Sequence, residues 1–363
     1  MHLVLIISLF AIYYFSGGSR SDTDKSMRRT QVILMGFCLF LFAALRSYSV
    51  GIDVEGYFDD YYKDATMSFS DLWDYRSGRD PFFHEFLLGL SYISDDAQFM
   101  LAVIGAIVAF GFSYFVFYQK GNVLLFFMIF IGFRMFSFTL SGLRQAIAMG
   151  LIYIAYTMLK RDKIRQFALL SLLAGLFHTS ALVFLFAFFI MKIKRNAAFI
   201  TSVVLVAVIN AASGNAIASA LAITTFEDRF AGYVAKSQTM VFEGTTTFYF
   251  YIIFFILALA LYNQLKKSDE HFTENLRLLT VGVMFSFMGQ SMSNVFRISY
   301  YYIFLCMPIF SQVITNLSDN KQTERTWMFV ACVLLAAQYL ILGTSAGTEN
   351  YLFFWEQHYL GCM

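Results

Sequence analysis

Long apolar runs recur along almost the whole 363-residue chain, near 2–18, 30–46, 97–118, 121–139, 142–159, 166–179, 180–191, 197–222, 246–265, 277–294, 298–316 and 327–343. In hydrocarbon no water is present to satisfy a backbone N–H or C=O, so only helices and closed barrels cross it. A barrel strand alternates lipid-facing and lumen-facing residues. These runs do not alternate, and most approach the ~20 residues that a spanning helix needs. The two prolines, Pro81 and Pro308, leave the runs almost uninterrupted. Composition points the same way. The chain is 59% hydrophobic and 14% charged, against about 45–50% and ~25% in soluble domains. Such a chain cannot cover its surface in water, which excludes a soluble enzyme, a nucleic-acid binder and a disordered scaffold. The expectation is an all-α polytopic integral membrane protein of about twelve transmembrane helices, forming one transmembrane domain over 1–363. The first run lacks a basic leader and a small-residue cleavage site, so it is read as the first span.

Orientation follows from charge. The run 166–191 is either one long helix or two short ones meeting at His178-Thr179-Ser180. Its flanks, Lys160-Arg161-Asp162-Lys163-Ile164-Arg165 and Lys192-Ile193-Lys194-Arg195, are both basic. Cytoplasmic loops collect Lys and Arg, so a hairpin that keeps both flanks inside is preferred. The cytoplasmic side then holds 17 of the 26 basic residues and 8 of the 24 acidic ones, a net of +9, against −7 outside. The formal total of +2 hides that asymmetry. Both termini fall outside.

Two external loops stand out. Residues 47–96 are acidic and aromatic, with Asp53, Glu55, Asp59, Asp60, Tyr57, Tyr61 and Tyr62. Within them 81–94 is too short to span and reads as an interfacial helix. The second loop is 223–245. Cys38, Cys306, Cys332 and Cys362 form no CxxC pair or Cys/His cluster, so neither a disulfide framework nor a metal site is indicated. The chain shows no internal repeat of the kind many transporters carry.

Ionisable groups in or beside membrane helices are costly and mark function. Four arginines escape the cytoplasmic side and sit where helices meet the outer surface: Arg46, Arg134, Arg144 and Arg297. Guanidinium forks suit phosphate oxygens, so these four are candidate binders of an anionic group near the outer leaflet. Each has a plainer reading. Arg46 is placed to snorkel at a helix end, and Arg134 to bridge to an acidic neighbour. Arg144 is followed by Gln145 at a helix start. Arg297 shares a stripe with Gln290, Asn294, Tyr300 and Tyr301 if helical geometry continues through the bend. His178, at the hairpin apex, and Asp53, in the first loop, are the candidate proton acceptors, or else a turn residue and an ordinary loop carboxylate. Tyr57, Gln145, Asn294, Tyr300 and Tyr301 are candidate sugar contacts.

Four segments carry a resemblance: Leu-Arg-Ser-Tyr-Ser-Val-Gly-Ile-Asp-Val-Glu-Gly-Tyr (45–57), Ser-Gly-Leu-Arg-Gln-Ala-Ile-Ala (141–148), Leu-Phe-His-Thr-Ser-Ala-Leu (176–182) and Phe-Arg-Ile-Ser-Tyr-Tyr (296–301). Their order resembles the EpsG/Wzy-type polysaccharide polymerases. Two departures are small: Ile52 stands where a small polar residue is common, and Thr179 intervenes between His178 and Ser180. The resemblance implies a polymerase of the bacterial inner membrane with an architecture similar to GT-C multi-span glycosyltransferases. It implies that oligosaccharide repeat units on undecaprenyl diphosphate, serving as donor and acceptor, are joined on the periplasmic face into O-antigen or exopolysaccharide. Arg144 and Arg297, then Arg46 and Arg134, would hold the diphosphate, with no cofactor, no nucleic acid and a chain-length regulator as partner. The rivals are a lipid-linked oligosaccharide flippase or other transporter, an O-antigen ligase using the same donor, a membrane O-acyltransferase and a non-enzymatic scaffold.

Overall fold

The computed structural model describes residues 2–76, 81–214, 216–217, 245–290, 293–341, 347–348 and 350–357. The loop 223–244, Cys362 and the end of the C-terminal tail lie outside them. Among the described residues every regular element is helical, and one isolated bridge pairs Arg46 with Phe353. Among the described residues, helices fall on part or all of each apolar stretch, without establishing twelve spans. Two, α2 (Lys25–Ala44) and α6 (Gln98–Tyr118), are long and apolar enough to cross a membrane alone, and bent pairs raise the number to five.

The chain divides into two compact units, residues 1–182 with 328–363 and residues 183–327. In the first, α1 (His2–Phe15) packs on α2, and α2 on α6, which in turn packs on α9 (Leu143–Lys160). Asp24 starts α2 by accepting hydrogen bonds from the Ser26 and Met27 N–H groups at 2.8 and 3.1 Å. Membrane helices gain little from burying apolar groups against one another, so close backbone approach matters more. Gly111 of α6 lies directly against Gly150 of α9, where a Cβ would strike the backbone. Beside this crossing Phe112 stacks on Phe130 with centroids 4.0 Å apart. Arg28 of α2 closes the end of α6, donating to the carbonyls of Val116, Gln119 and Gly121 at 2.6–2.7 Å and of Phe117 at 3.2 Å. These are carbonyls that a helix terminus leaves without partners, at its negative end.

The fourth predicted span is broken. Helix α7 (Val123–Gly132) and α8 (Met135–Ser141) meet at 56° around Arg134, whose φ of 60° is left-handed. Phe133, Arg134 and Met135 are all buried, which is where an interrupted helix is tolerated at membrane depth.

The segment 166–191 also breaks at His178. Helix α10 (Ile164–Phe177) returns along α9 after a tight turn at Arg161–Lys163. His178 then becomes extended, with φ −152° and ψ 108°. The Leu182 side chain packs against Gly175. In a continuous helix residues seven apart are about 10 Å apart along the axis, so the chain turns back here. A 3-10 helix, Thr179–Phe186, runs on into α11 (Ala187–Met191).

The loop 47–96 is more ordered than expected. Besides α5 (Pro81–Ser91), on the predicted interfacial segment, it contains α3 (Val54–Asp64) and α4 (Phe69–Arg76). Helix α3 buries Val54, Tyr57, Phe58 and Tyr61 and exposes Glu55 and Asp59.

The second unit begins within the 3-10 helix and holds α12 (Asn196–Ala212), α13 (Thr245–Ala260), α14 (Tyr262–Ser268), α15 (Phe272–Met288), α16 (Ser293–Ile303) and α17 (Cys306–Asn316); α18 (Lys321–Ile341) follows. Arg277 ties α15 to the end of α11 through the carbonyls of Ile190 and Met191 at 2.9 and 2.6 Å, and to the Asn196 side chain. Tyr302 donates to the Val183 carbonyl at 2.6 Å.

Candidate functional site

The segment 45–57 folds onto the joint between α8 and α9. Arg46 anchors it. Only 1% exposed, its guanidinium donates to the carbonyl of Ala43 at 2.7 Å and to that of Leu140 at 2.9 Å. Its main chain is fastened as well. The Ser47 N–H donates to Leu352 O at 2.8 Å, the Phe354 N–H to Leu45 O at 2.9 Å, and the Gln98 side chain to Arg46 O at 2.9 Å. Arg46 therefore does not snorkel; two of its three nitrogens are committed to main-chain carbonyls.

Gly51 makes the next contact. Its φ is +112°, its N–H donates to Gly347 O at 2.9 Å, and a Cβ would lie 2.6 Å from the Leu140 carbonyl oxygen. Glycine is needed here on both counts. The Asp53 N–H then donates to the Ser141 hydroxyl at 3.4 Å. The Asp53 side chain is exposed at the start of α3. One turn on, the ring of Tyr57 is buried and meets Phe83 of α5 edge-on, with centroids 5.4 Å apart.

Arg144 completes this cluster. Gly142 ends α8 and caps α9, so Arg144 lies in the first turn of α9. Half-buried, its guanidinium carbon lies 5.7 Å from the centre of the Tyr57 ring and 5.8 Å from that of Phe83. Two aromatic faces thus help fix the position of this guanidinium. It stands where the helix dipole adds positive potential. Gln145 beside it is buried. Arg134, at the α7–α8 break, is buried as well.

His178 caps the end of α10, its N–H bonded to Ala174 O at 2.9 Å. Because α10 runs antiparallel to α9, that end returns toward the start of α9, which carries Arg144. Phe177 receives the edges of Phe82 and Phe86 of α5 at 5.1 and 5.5 Å. Helix α5 thus touches Tyr57 and Arg144 on one side and the residue before His178 on the other.

Sequence reading missed two features of α5. His84 Nδ1 lies 2.7 Å from Asp64 Oδ2, with both residues buried, and this pair ties α5 to the end of α3. Next to it, both carboxylate oxygens of Glu85 are buried, and among the described residues no other residue donates a hydrogen bond to them. Burial pushes the Glu85 carboxyl above the usual range, and the charge of Asp64 adds to the shift while His84 opposes it. The pairing of residues 20 apart leaves no local signal.

Arg297 belongs to the second unit. The expected stripe changes there, because α15 stops at Met288 and Gly289 packs against the backbone of Phe296. Gln290 therefore lies in the turn, with its amide bonded to Ser286 O at 3.0 Å, and it leaves the stripe. Arg297, Tyr300 and Tyr301 remain together on α16, Arg297 half-buried and both tyrosines buried. Asn294 is on the same helix, and its side chain lies outside the described residues. Among the described residues no three His, Cys, Asp or Glu side chains gather as a metal site.

The model of the EpsG family matches residues 29–355, a range that includes all four motif segments. The chain belongs to the EpsG family. No curated protein and no solved structure matches it. EpsG membership brings with it a membrane-embedded, glycosyltransferase-like protein with a polysaccharide-polymerase function.

Proposed function

We propose that this EpsG protein joins oligosaccharide repeat units carried on undecaprenyl diphosphate into O-antigen or exopolysaccharide. It works on the periplasmic face of a bacterial inner membrane, within twelve spans of GT-C-like architecture and alongside a chain-length regulator. The growing chain on one lipid is the donor. A sugar hydroxyl of a new lipid-linked unit attacks its anomeric carbon, the bond to the diphosphate oxygen breaks, and undecaprenyl diphosphate leaves with the electron pair. Negative charge develops on that leaving group; Arg144 is the first candidate to stabilise it, and Arg297, in the other unit, is the candidate tested beside it. The single observation behind this reading is the setting of Arg144, in the first turn of α9 with its guanidinium on Tyr57 and Phe83. Losing one such stabiliser typically costs ~3–4 kcal/mol, or 10²–10³ in rate.

Arg46 serves this site by holding the motif in place, and Arg134 by shaping the joint that carries Arg144. Tyr57 and Gln145 in the first unit, and Asn294, Tyr300 and Tyr301 in the second, are each candidate sugar contacts. Asp53 and His178 are the sequence's candidates for taking the hydroxyl proton.

Complementation of a strain lacking the protein tests the assignment. Arg144→Ala and Arg297→Ala are each expected to leave a single repeat unit with no ladder at normal protein level. Full ladders from both would refute the diphosphate assignment. Arg→Lys at either position separates charge from forked geometry. The broken α7–α8 span favours one other reading, a flippase, because transporters bind substrate at interrupted helices. Flippase loss traps the lipid-linked unit inside. Ligase loss leaves no repeat on the lipid core, and polymerase loss leaves one.

A further inference from the structure

We infer that Glu85, on the helix that bridges the two motif segments, is the catalytic base that takes the proton from the attacking sugar hydroxyl; this rests on the polymerase reading.

Helix α5 is held on three sides. The pair His84–Asp64 fastens it to α3, Phe83 meets Tyr57 and Arg144, and Phe82 and Phe86 meet Phe177. Glu85 is three residues after Phe82 and one before Phe86, so helical spacing places it on the face that meets Phe177, next in the chain to His178. In that position both of its oxygens are buried, and no other described residue donates a hydrogen bond to them. A carboxylate that serves the fold is hydrogen-bonded when buried. One that no other described residue engages keeps acceptor positions for a donor from outside, and a sugar hydroxyl is such a donor.

Asp53, by contrast, is exposed, and water competes for it. Burial raises the proton affinity of Glu85, with Asp64 and His84 the charged neighbours that act on it. That makes it a stronger base than a solvated carboxylate. In the step, the hydroxyl oxygen bonds to the anomeric carbon and the carbon–diphosphate bond breaks. The electron pair leaves on the undecaprenyl diphosphate, and the hydroxyl proton passes to a Glu85 oxygen. Asp53 and His178 then orient the sugars.

The sign of the shift adds a second readout. A carboxyl with a raised folded-state value contributes stability at low pH that is lost as pH rises through that value. Removing its charge therefore relieves the neutral-pH protein.

The test uses full-length protein in proteoliposomes, with lipid extract from a strain that makes the repeat unit but lacks this protein. Glu85→Gln is expected to slow polymer formation at least about 100-fold, in line with general-base contributions. It is also expected to be at least as heat-stable as wild type at pH 7 and to lose the acid limb of the rate profile. Glu85→Asp is expected to be slow yet still acid-sensitive, and it carries the test if the Gln variant does not accumulate. A wild-type rate and pH profile from either variant overturns the assignment. If wild type itself makes no polymer from the extract, the polymerase reading fails and the base with it. A full ladder from both wild type and Glu85→Gln removes the base alone.

Discussion

At the residue scale, the arginines fall into two groups that their local sequences do not distinguish. Arg28, Arg46 and Arg277 spend their N–H groups on carbonyls of Val116, Leu140 and Ile190, among others. Arg144, half-buried in the first turn of α9, packs against the Tyr57 and Phe83 rings. The two groups should respond differently to truncation. Arg46→Ala strands two buried carbonyls, each costing about 1–3 kcal/mol. Its solubilised protein is expected to unfold at clearly lower temperature and to accumulate poorly. Arg144→Ala is expected to lose polymer by far more than its change in melting temperature accounts for, because the charge it removes stands at the proposed diphosphate site. Melting followed by size-exclusion after heating distinguishes the two; equal losses would erase the distinction.

At the element scale, the joint between α8 and α9 does the positioning. It receives Arg46, Gly51 and Asp53 from the first loop and presents Arg144 one turn later. Gly51→Ala places a methyl group against the Leu140 carbonyl in a backbone conformation that L-residues rarely adopt. The prediction is a sharply reduced ladder from a residue that touches no substrate, read on a glycan gel at matched protein level. A normal ladder would mean that the loop can shift without harm to the site. The helices of this loop show why sequence reading stopped short. The apolar positions of α3, Val54, Tyr57, Phe58 and Tyr61, are separated by acidic residues that suggested a solvated loop. Eleven residues give too short a periodic signal to declare a helix. The tie between His84 and Asp64 was equally hidden, since it joins separate helices.

At the scale of the whole molecule, charge asymmetry predicts an orientation. If the reversal at His178 returns the chain to the side it came from, Lys160–Arg165 and Lys192–Arg195 share the cytoplasm, as the positive-inside rule asks. A reporter fused after Lys194 is expected to be cytoplasmic, and a periplasmic signal would invert every later loop. The helical, membrane-embedded character was legible because the apolar runs recur along the chain, although among the described residues only two helices, or five counting bent pairs, are long enough to cross. The bends inside them were not, since Arg134 in its left-handed conformation and the Gly289–Phe296 contact depend on neighbours outside the local window.

By itself, the sequence determined that the chain is a helical membrane protein and that its four motifs point to the EpsG family. Hydrocarbon forces these conclusions, because it permits few backbones and penalises every stray charge. Tertiary structure decided what each arginine does. Arg46 and Arg144 both stand at helix ends beside an outer loop, and only the fold shows a carbonyl 94 residues away within reach of one and a pair of rings beneath the other. It also brought forward Glu85, whose significance lies in the donors that no other described residue supplies, and missing donors are a property of three-dimensional surroundings that no local pattern of residues encodes.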